Sequence, residues 1–125
     1  MRPIGIQHVT VGVHDLEEAV AFYELLGMTL DPDRPCLGVE GAWMFAADQQ
    51  VHIVVTAGRT PPDAATHFAV VVENLSECLD ELASVGVAAR RLDRIPGAGE
   101  QAFLRDPTGN VIELNQPDRQ WPPVR

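Results

Sequence analysis

The chain has 125 residues, the length of one compact domain that buries roughly two-thirds of the surface its unfolded form exposes. Its 46% apolar and 22% charged residues are the mixture of a soluble globular protein. A net charge of −9 leaves no basic face to displace counterions from phosphates, which excludes nucleic acid and anionic membrane as partners. Apolar runs fall short of the ~18 residues of a membrane span and the opening residues lack a signal-peptide core, so a cytoplasmic protein is expected.

Taken in order, β-branched residues alternate with others from Ile6 to Val13, the period of a half-buried strand. Val9, Val11 and Val13 share one face; Ile6, His8, Thr10 and Gly12 share the other. Asp15 with Glu18 three residues later is a capping-box pattern, and Leu16, Ala19, Val20, Tyr23 and Leu26 form a helical stripe that Gly27 closes. A short strand over Met28–Asp31 leads into a Pro- and Gly-rich loop from Pro32 to Gly41. Strands follow over Ala42–Ala46 and Val51–Thr56, joined by a turn at Asp48–Gln50, and residues 58–64 read as a linker.

Thr66–Glu73 is again a strand, with Phe68, Val70 and Val72 on one face and His67, Ala69 and Val71 on the other. Asn74 and Glu77 cap a helix whose stripe is Leu75, Cys78, Leu79, Leu82 and Val85, closed by Gly86. Strands over Val87–Leu92, Gln101–Arg105 and Val111–Asn115 are separated by turns at Ile95–Gly99 and Asp106–Asn110. The tail from Asp118 is Pro-rich and irregular. Arg90, Arg91 and Arg94 form the one basic cluster, expected to be a solvated strand end. Cys78 reads as a buried small apolar residue and Cys36 as a loop residue, with no disulfide expected between them.

The second half repeats the first. Setting His8 on His67 without a gap places Val11 on Val70, Val13 on Val72, Leu16 on Leu75, Glu18 on Glu77 and Gly27 on Gly86. With two extra residues in the second copy, Val51-His52-Ile53 falls on Ile112-Glu113-Leu114. Each copy has the order β-α-β-β-β, which predicts one α+β domain of two modules, about 4–57 and 65–117.

Strand parity then puts His8, His52, His67 and Glu113 on the faces opposite the helices. A lone strand histidine is by default a core or surface residue, and His14, before a helix cap, is expected to be a solvated turn residue. Four repeat-equivalent positions on one kind of face point instead to a metal site. Three imidazoles and a carboxylate suit one divalent transition ion such as Zn²⁺, Ni²⁺, Fe²⁺, Co²⁺ or Mn²⁺. As the one carboxylate in the set, Glu113 is the candidate catalytic base. Trp43, Phe45 and Phe103 are candidates to wall a substrate cavity, although strand aromatics are core residues by default.

The motifs Ile6-Gln7-His8-Val9-Thr10-Val11, Asp15-Leu16, Ala21-Phe22-Tyr23, Leu26-Gly27, His67-Phe68-Ala69-Val70, Asn74-Leu75 and Asp106-Pro107-Thr108-Gly109-Asn110-Val111-Ile112-Glu113-Leu114 span nearly the whole chain. On them the chain resembles the vicinal oxygen chelate superfamily, which includes glyoxalase I, extradiol ring-cleavage dioxygenases, fosfomycin-resistance thiol transferases and bleomycin-binding proteins. The resemblance implies paired βαβββ modules forming a cupped, mostly antiparallel sheet around a metal or ligand cavity with the helices outside, in a homodimer. It also places the ligand positions on His8, His52, His67 and Glu113. In glyoxalase I the position of His52 is usually a glutamate, a departure that separates this chain from true lactoylglutathione lyases. The expected activity is a metal-dependent isomerase or lyase acting on a small substrate that chelates the metal through oxygen. A metal-free drug-binding protein of the bleomycin-resistance kind, or an iron dioxygenase using His8, His67 and Glu113, is the alternative.

Overall fold

The computed structural model describes residues 1–58 and 65–124, so the expected linker at 58–64 lies, apart from Gly58, outside the described residues. The chain divides into two compact units. One holds the residues before that segment together with Asp106–Asn110, and the other holds the remainder.

The first unit runs β1 (His8–Val13), α1 (Leu16–Leu25), β2 (Thr29–Leu30), β3 (Gly41–Ala46) and β4 (Gln49–Val55). Its sheet has the order β1-β4-β3-β2, with β1 parallel to β4 and the other pairs antiparallel. The helix starts where the capping box predicts, the Asp15 carboxylate accepting from the Glu18 amide, which satisfies one of the amides that a helix start leaves unpaired. It ends at Gly27, whose φ of 83° is a left-handed conformation that a side chain resists. Val11, Val13, Met44, Val51 and Ile53 are buried on the helix-facing side with Ala19, Phe22 and Tyr23 from α1.

The second unit repeats the plan: β5 (His67–Val71), α2 (Leu75–Ser84), β6 (Arg90–Arg91), β7 (Glu100–Arg105) and β8 (Val111–Gln116), in the sheet order β5-β8-β7-β6. Asn74 caps α2 by accepting from the Glu77 amide, and Gly86 follows the helix with a φ of 79°. Leu75 and Leu82 from the helix are buried with Ala102, Leu104, Ile112 and Leu114. In both units the first and last strands are parallel neighbours, because the helix starts the second strand in the direction of the first and two antiparallel reversals bring the last strand back to it.

Several expected boundaries shift. The β3–β4 turn is Ala47–Asp48 rather than Asp48–Gln50, with Ala47 at a φ of 56°, so Gln49 and Gln50 belong to β4. The strand expected over Val87–Leu92 pairs at Arg90–Arg91 alone, and that expected over Met28–Asp31 at Thr29–Leu30. These segments have a partner on one side only, and ladder pairing rather than β-propensity sets their length. Val85, expected in the α2 stripe, is the C-cap and is exposed, whereas Phe22, outside the expected α1 stripe, is buried.

The turn Asp106–Asn110 is more than a reversal. One Asp106 oxygen accepts from the amides of Thr108, Gly109 and Asn110 at 2.8–3.0 Å. The other accepts from the Tyr23 hydroxyl at 2.9 Å and the Asn110 side-chain amide at 2.8 Å. That amide also donates to the Gly12 carbonyl, and the His14 amide donates to Thr108 Oγ1. Asp106 is 4% exposed and Tyr23 fully buried, so the carboxylate is carried into the core only by its donors. Burial and the adjacent carboxylate hold the Tyr23 phenol far above its ordinary pKa, so it remains a donor.

Candidate metal and ligand site

Cross-strand register shows how each sheet carries its candidate residues. In the first unit His52 lies opposite Thr10 on β1 and Trp43 on β3, and His8 is two residues before Thr10 on the same face. In the second, Glu113 lies opposite Ala69 on β5 and Phe103 on β7, and His67 is two residues before Ala69. His8, His52 and Trp43 therefore occupy the same lattice positions as His67, Glu113 and Phe103. The repeat legible in the sequence is a repeat of cross-strand geometry.

The chemistry of the two faces differs. On the first, His52 is sandwiched: the His8 ring stacks on it at 3.9 Å and 13°, and the Trp43 ring at 4.3 Å and 6°. Gln50 donates from its amide nitrogen to Asp31 at 2.8 Å, which turns its oxygen toward His52 Nε2 at 2.9 Å. An oxygen can only accept, so Nε2 carries the proton and Nδ1 is the basic nitrogen of the neutral ring. Burial first, then His8 and Arg34, hold the His52 pKa below its ordinary value against an opposing pull from Asp31. The lone pairs of stacked rings lie in nearly parallel planes, whereas the ligands of one ion converge, so His8 and His52 would hold one ion between them only after one ring turned. His8 Nδ1 is 2.9 Å from Gln7 Oε1, which leaves Nε2 as its outward nitrogen. Phe45 is exposed on this face beside Trp43.

On the second face, Glu113 Oε2 lies 3.5 Å from His67 Nε2, and Glu113 Oε1 lies 3.4 Å from the Asn115 amide nitrogen. Glu113 is 7% exposed. A buried carboxylate depends on such partners, and at these distances it leaves room for a cation between Glu113 and His67. The His67–Glu113 separation fits a metal edge: bonds of about 2.1 Å at a tetrahedral angle set two donor atoms about 3.4 Å apart. Phe103 meets the His67 ring edge-on at 5.1 Å.

The four expected ligands thus form two pairs, and among the described residues no group of three or more His, Cys, Asp or Glu side chains is gathered as a metal cage. Asp31, Gln50 and Asn115 were absent from the sequence-based site. Gln50 and Asn115 stand two residues from His52 and Glu113, so the same parity rule reaches them; Asp31 ends the expected strand Met28–Asp31, and parity within that strand does not say which strand lies beside it.

Residues 5–114 match the model of the Glyoxalase/Bleomycin resistance protein/Dioxygenase superfamily. The chain belongs to this superfamily. Among relatives of this glyoxalase superfamily protein, the glutathione transferase FosA of Serratia marcescens is 30% identical over 118 residues, 89% of this chain and 79% of that protein. A Bacillus anthracis protein assigned to the glyoxalase family is 31% identical, with a TM-score of 0.84 over 94% of this chain and all of that one. TnmS3, an antibiotic binding protein from Streptomyces sp. CB03234, is 30% identical with a TM-score of 0.78, over 94% and 99% of the two chains. The two-module α+β architecture is that of the superfamily. No helix among the described residues is long and apolar enough to cross a membrane.

Proposed function

We propose that this superfamily member is a divalent-metal-dependent enzyme of the glyoxalase-like branch, an isomerase or lyase acting on a small substrate that chelates the metal through oxygen. The observation that carries this reading is the buried Glu113 carboxylate 3.5 Å from His67 Nε2, a ligand-to-ligand spacing. His67 Nε2 and Glu113 are the proposed ligands on the second face and His8 on the first. A bound divalent ion would act as a Lewis acid toward the substrate oxygens. The His52 ring, fixed by Gln50 and sandwiched by Trp43, holds the His8 ring and is proposed as a positioning residue rather than a fourth ligand. Glu113 is the proposed proton acceptor, with Asn115 orienting Oε1 so that the carboxylate keeps one fixed face toward the substrate. A cytoplasmic homodimer is part of the same proposal.

The second reading is a small-molecule binder without turnover. It is favoured by the flat Trp43–His52–His8 stack, a platform on which a planar ligand can lie, and by likeness to an antibiotic binding protein. The deciding measurement is elemental analysis of untagged protein purified without chelator, beside a His67→Ala/Glu113→Ala variant whose fold is checked by circular dichroism. About one equivalent of Fe, Ni, Zn, Co or Mn per chain, lost in the variant, supports the enzyme. A wild type that carries none and takes up none on titration turns the assignment to the binder.

A further inference from the structure

The face of the second unit that carries Glu113 continues across β7 to β6 in one cross-strand row: Ala69, Glu113, Phe103, Arg90. The next row runs from His67 through Val111 to Arg105. At the β6–β7 end of these rows is a cavity of about 430 Å³ lined by Arg90, Leu92, Phe103, Leu104, Arg105 and Val111. Phe103 is thus shared: its ring meets His67 on one side and walls the cavity on the other.

The arginines of this unit are not equivalent. Arg91, on the opposite face, bonds Glu100 and donates to Ser76, and Arg94 bonds Asp118. Arg90 is exposed at its strand end, as expected, and has no hydrogen bond or ion pair among the described residues; it also lines the cavity. Arg90 and Arg105 are the basic side chains at one end of the face and Glu113 is its carboxylate. In a chain of net charge −9, a cavity with two guanidinium groups is a local reversal of the field that otherwise repels anions. Guanidinium forks match oxyanions in geometry as well as charge, and an aromatic wall between fork and carboxylate suits a flat or apolar body. Strands lie about 4.8 Å apart, so Arg90 stands about 10 Å from Glu113 across the row, the length of a small metabolite.

We propose that Arg90, assisted by Arg105, makes the cavity beside Phe103 a subsite for an anionic oxygen group on the substrate, a carboxylate, phosphonate or phosphate. The substrate is then an anion with a planar or apolar middle section that crosses Phe103, its other end reaching His67 and Glu113. The placement of that far end rests on the metal reading above; the anion subsite does not.

The test uses the full chain stripped of metal and phenylphosphonate, a ring with an anionic head and no vicinal oxygens, titrated by ¹H–¹⁵N NMR at the arginine Nε–Hε signals. Saturable shifts at Arg90 and Arg105 are expected, weakened about tenfold in Arg90→Gln and partly kept in Arg90→Lys. Arg94→Gln, which removes the same charge outside the cavity, should bind as the wild type does. Benzoate run alongside assigns the group: shifts with both probes make it a carboxylate-tolerant subsite, shifts with phenylphosphonate alone a phosphonate or phosphate subsite. The proposal is overturned by the absence of saturable shifts, by undiminished affinity in Arg90→Gln, or by equal loss in Arg94→Gln. Because no metal is present in this titration, binding here with a failed metal analysis would reject the enzyme reading and keep the anion subsite.

Discussion

Replacing Tyr23 by Phe removes one oxygen and tests whether the Asp106 turn is held as the hydrogen bonds indicate. The hydroxyl is fully buried and donates to Asp106 Oδ2 at 2.9 Å. Phenylalanine fills nearly the same volume and introduces no polar group, so no cavity larger than the missing oxygen forms. Asp106 keeps the Asn110 side-chain donor on the same oxygen and three amides on the other, so the carboxylate is not stranded. What is lost is one buried hydrogen bond to a charged acceptor, about 2 kcal/mol. For a chain of this size that is a fall in Tm of about 8 °C, or about 1.3 M in the urea midpoint at a slope of about 1.5 kcal/mol/M. Asp106→Ala, which strands the buried Tyr23 hydroxyl and one N–H of the Asn110 side chain while the other keeps the Gly12 carbonyl, should cost more. A Tyr23→Phe midpoint within about 0.2 M of wild type would refute the reasoning, since the bond would then be worth no more in the folded chain than in water.

Two further predictions concern other parts of the chain. Gly41→Ala should destabilise the first unit by about 1–3 kcal/mol, because a Cβ there runs into the Ile53 carbonyl and the Arg34 guanidinium; an unchanged thermal midpoint would count against this close approach. Asp118 accepts from the Gly97 amide at 2.9 Å and faces Arg94, and that amide first, then Arg94 and Arg119, hold its pKa below the ordinary 3.8. A lowered carboxyl pKa stabilises the contact above the unfolded value and loses it as pH falls through the folded one. The Gly97 amide resonance should therefore titrate with a midpoint below 3.8, and a midpoint at or above it would show that the tail does not hold the turn.

Much of this architecture was legible without coordinates because the signals are local. Asp15 with Glu18 and Asn74 with Glu77 mark helix starts through their own amides, and Gly27 and Gly86 mark the ends through a backbone conformation glycine adopts freely. The two-residue period of a strand placed His8, His52, His67 and Glu113 on the sheet faces away from the helices, and the register agrees with that placement. Less was legible where an outcome depends on which segment lies alongside. The lengths of β2 and β6, the burial of Phe22 and the exposure of Val85 follow from pairing and packing that local propensity does not encode.

The repeat, the capped helices and the side of each sheet that carries each candidate residue were determined by the sequence itself, since hydrophobic period and capping act within a few residues of one another. Tertiary structure decided what those residues do to each other. His52 lies flat between His8 and Trp43, Glu113 is buried with distant donors, Asp106 ties the turn to Tyr23 and Gly12, and Arg90 lines a cavity shared with Phe103. Each of these depends on ring planes, donor distances and burial between residues far apart in the chain, which no spacing rule contains.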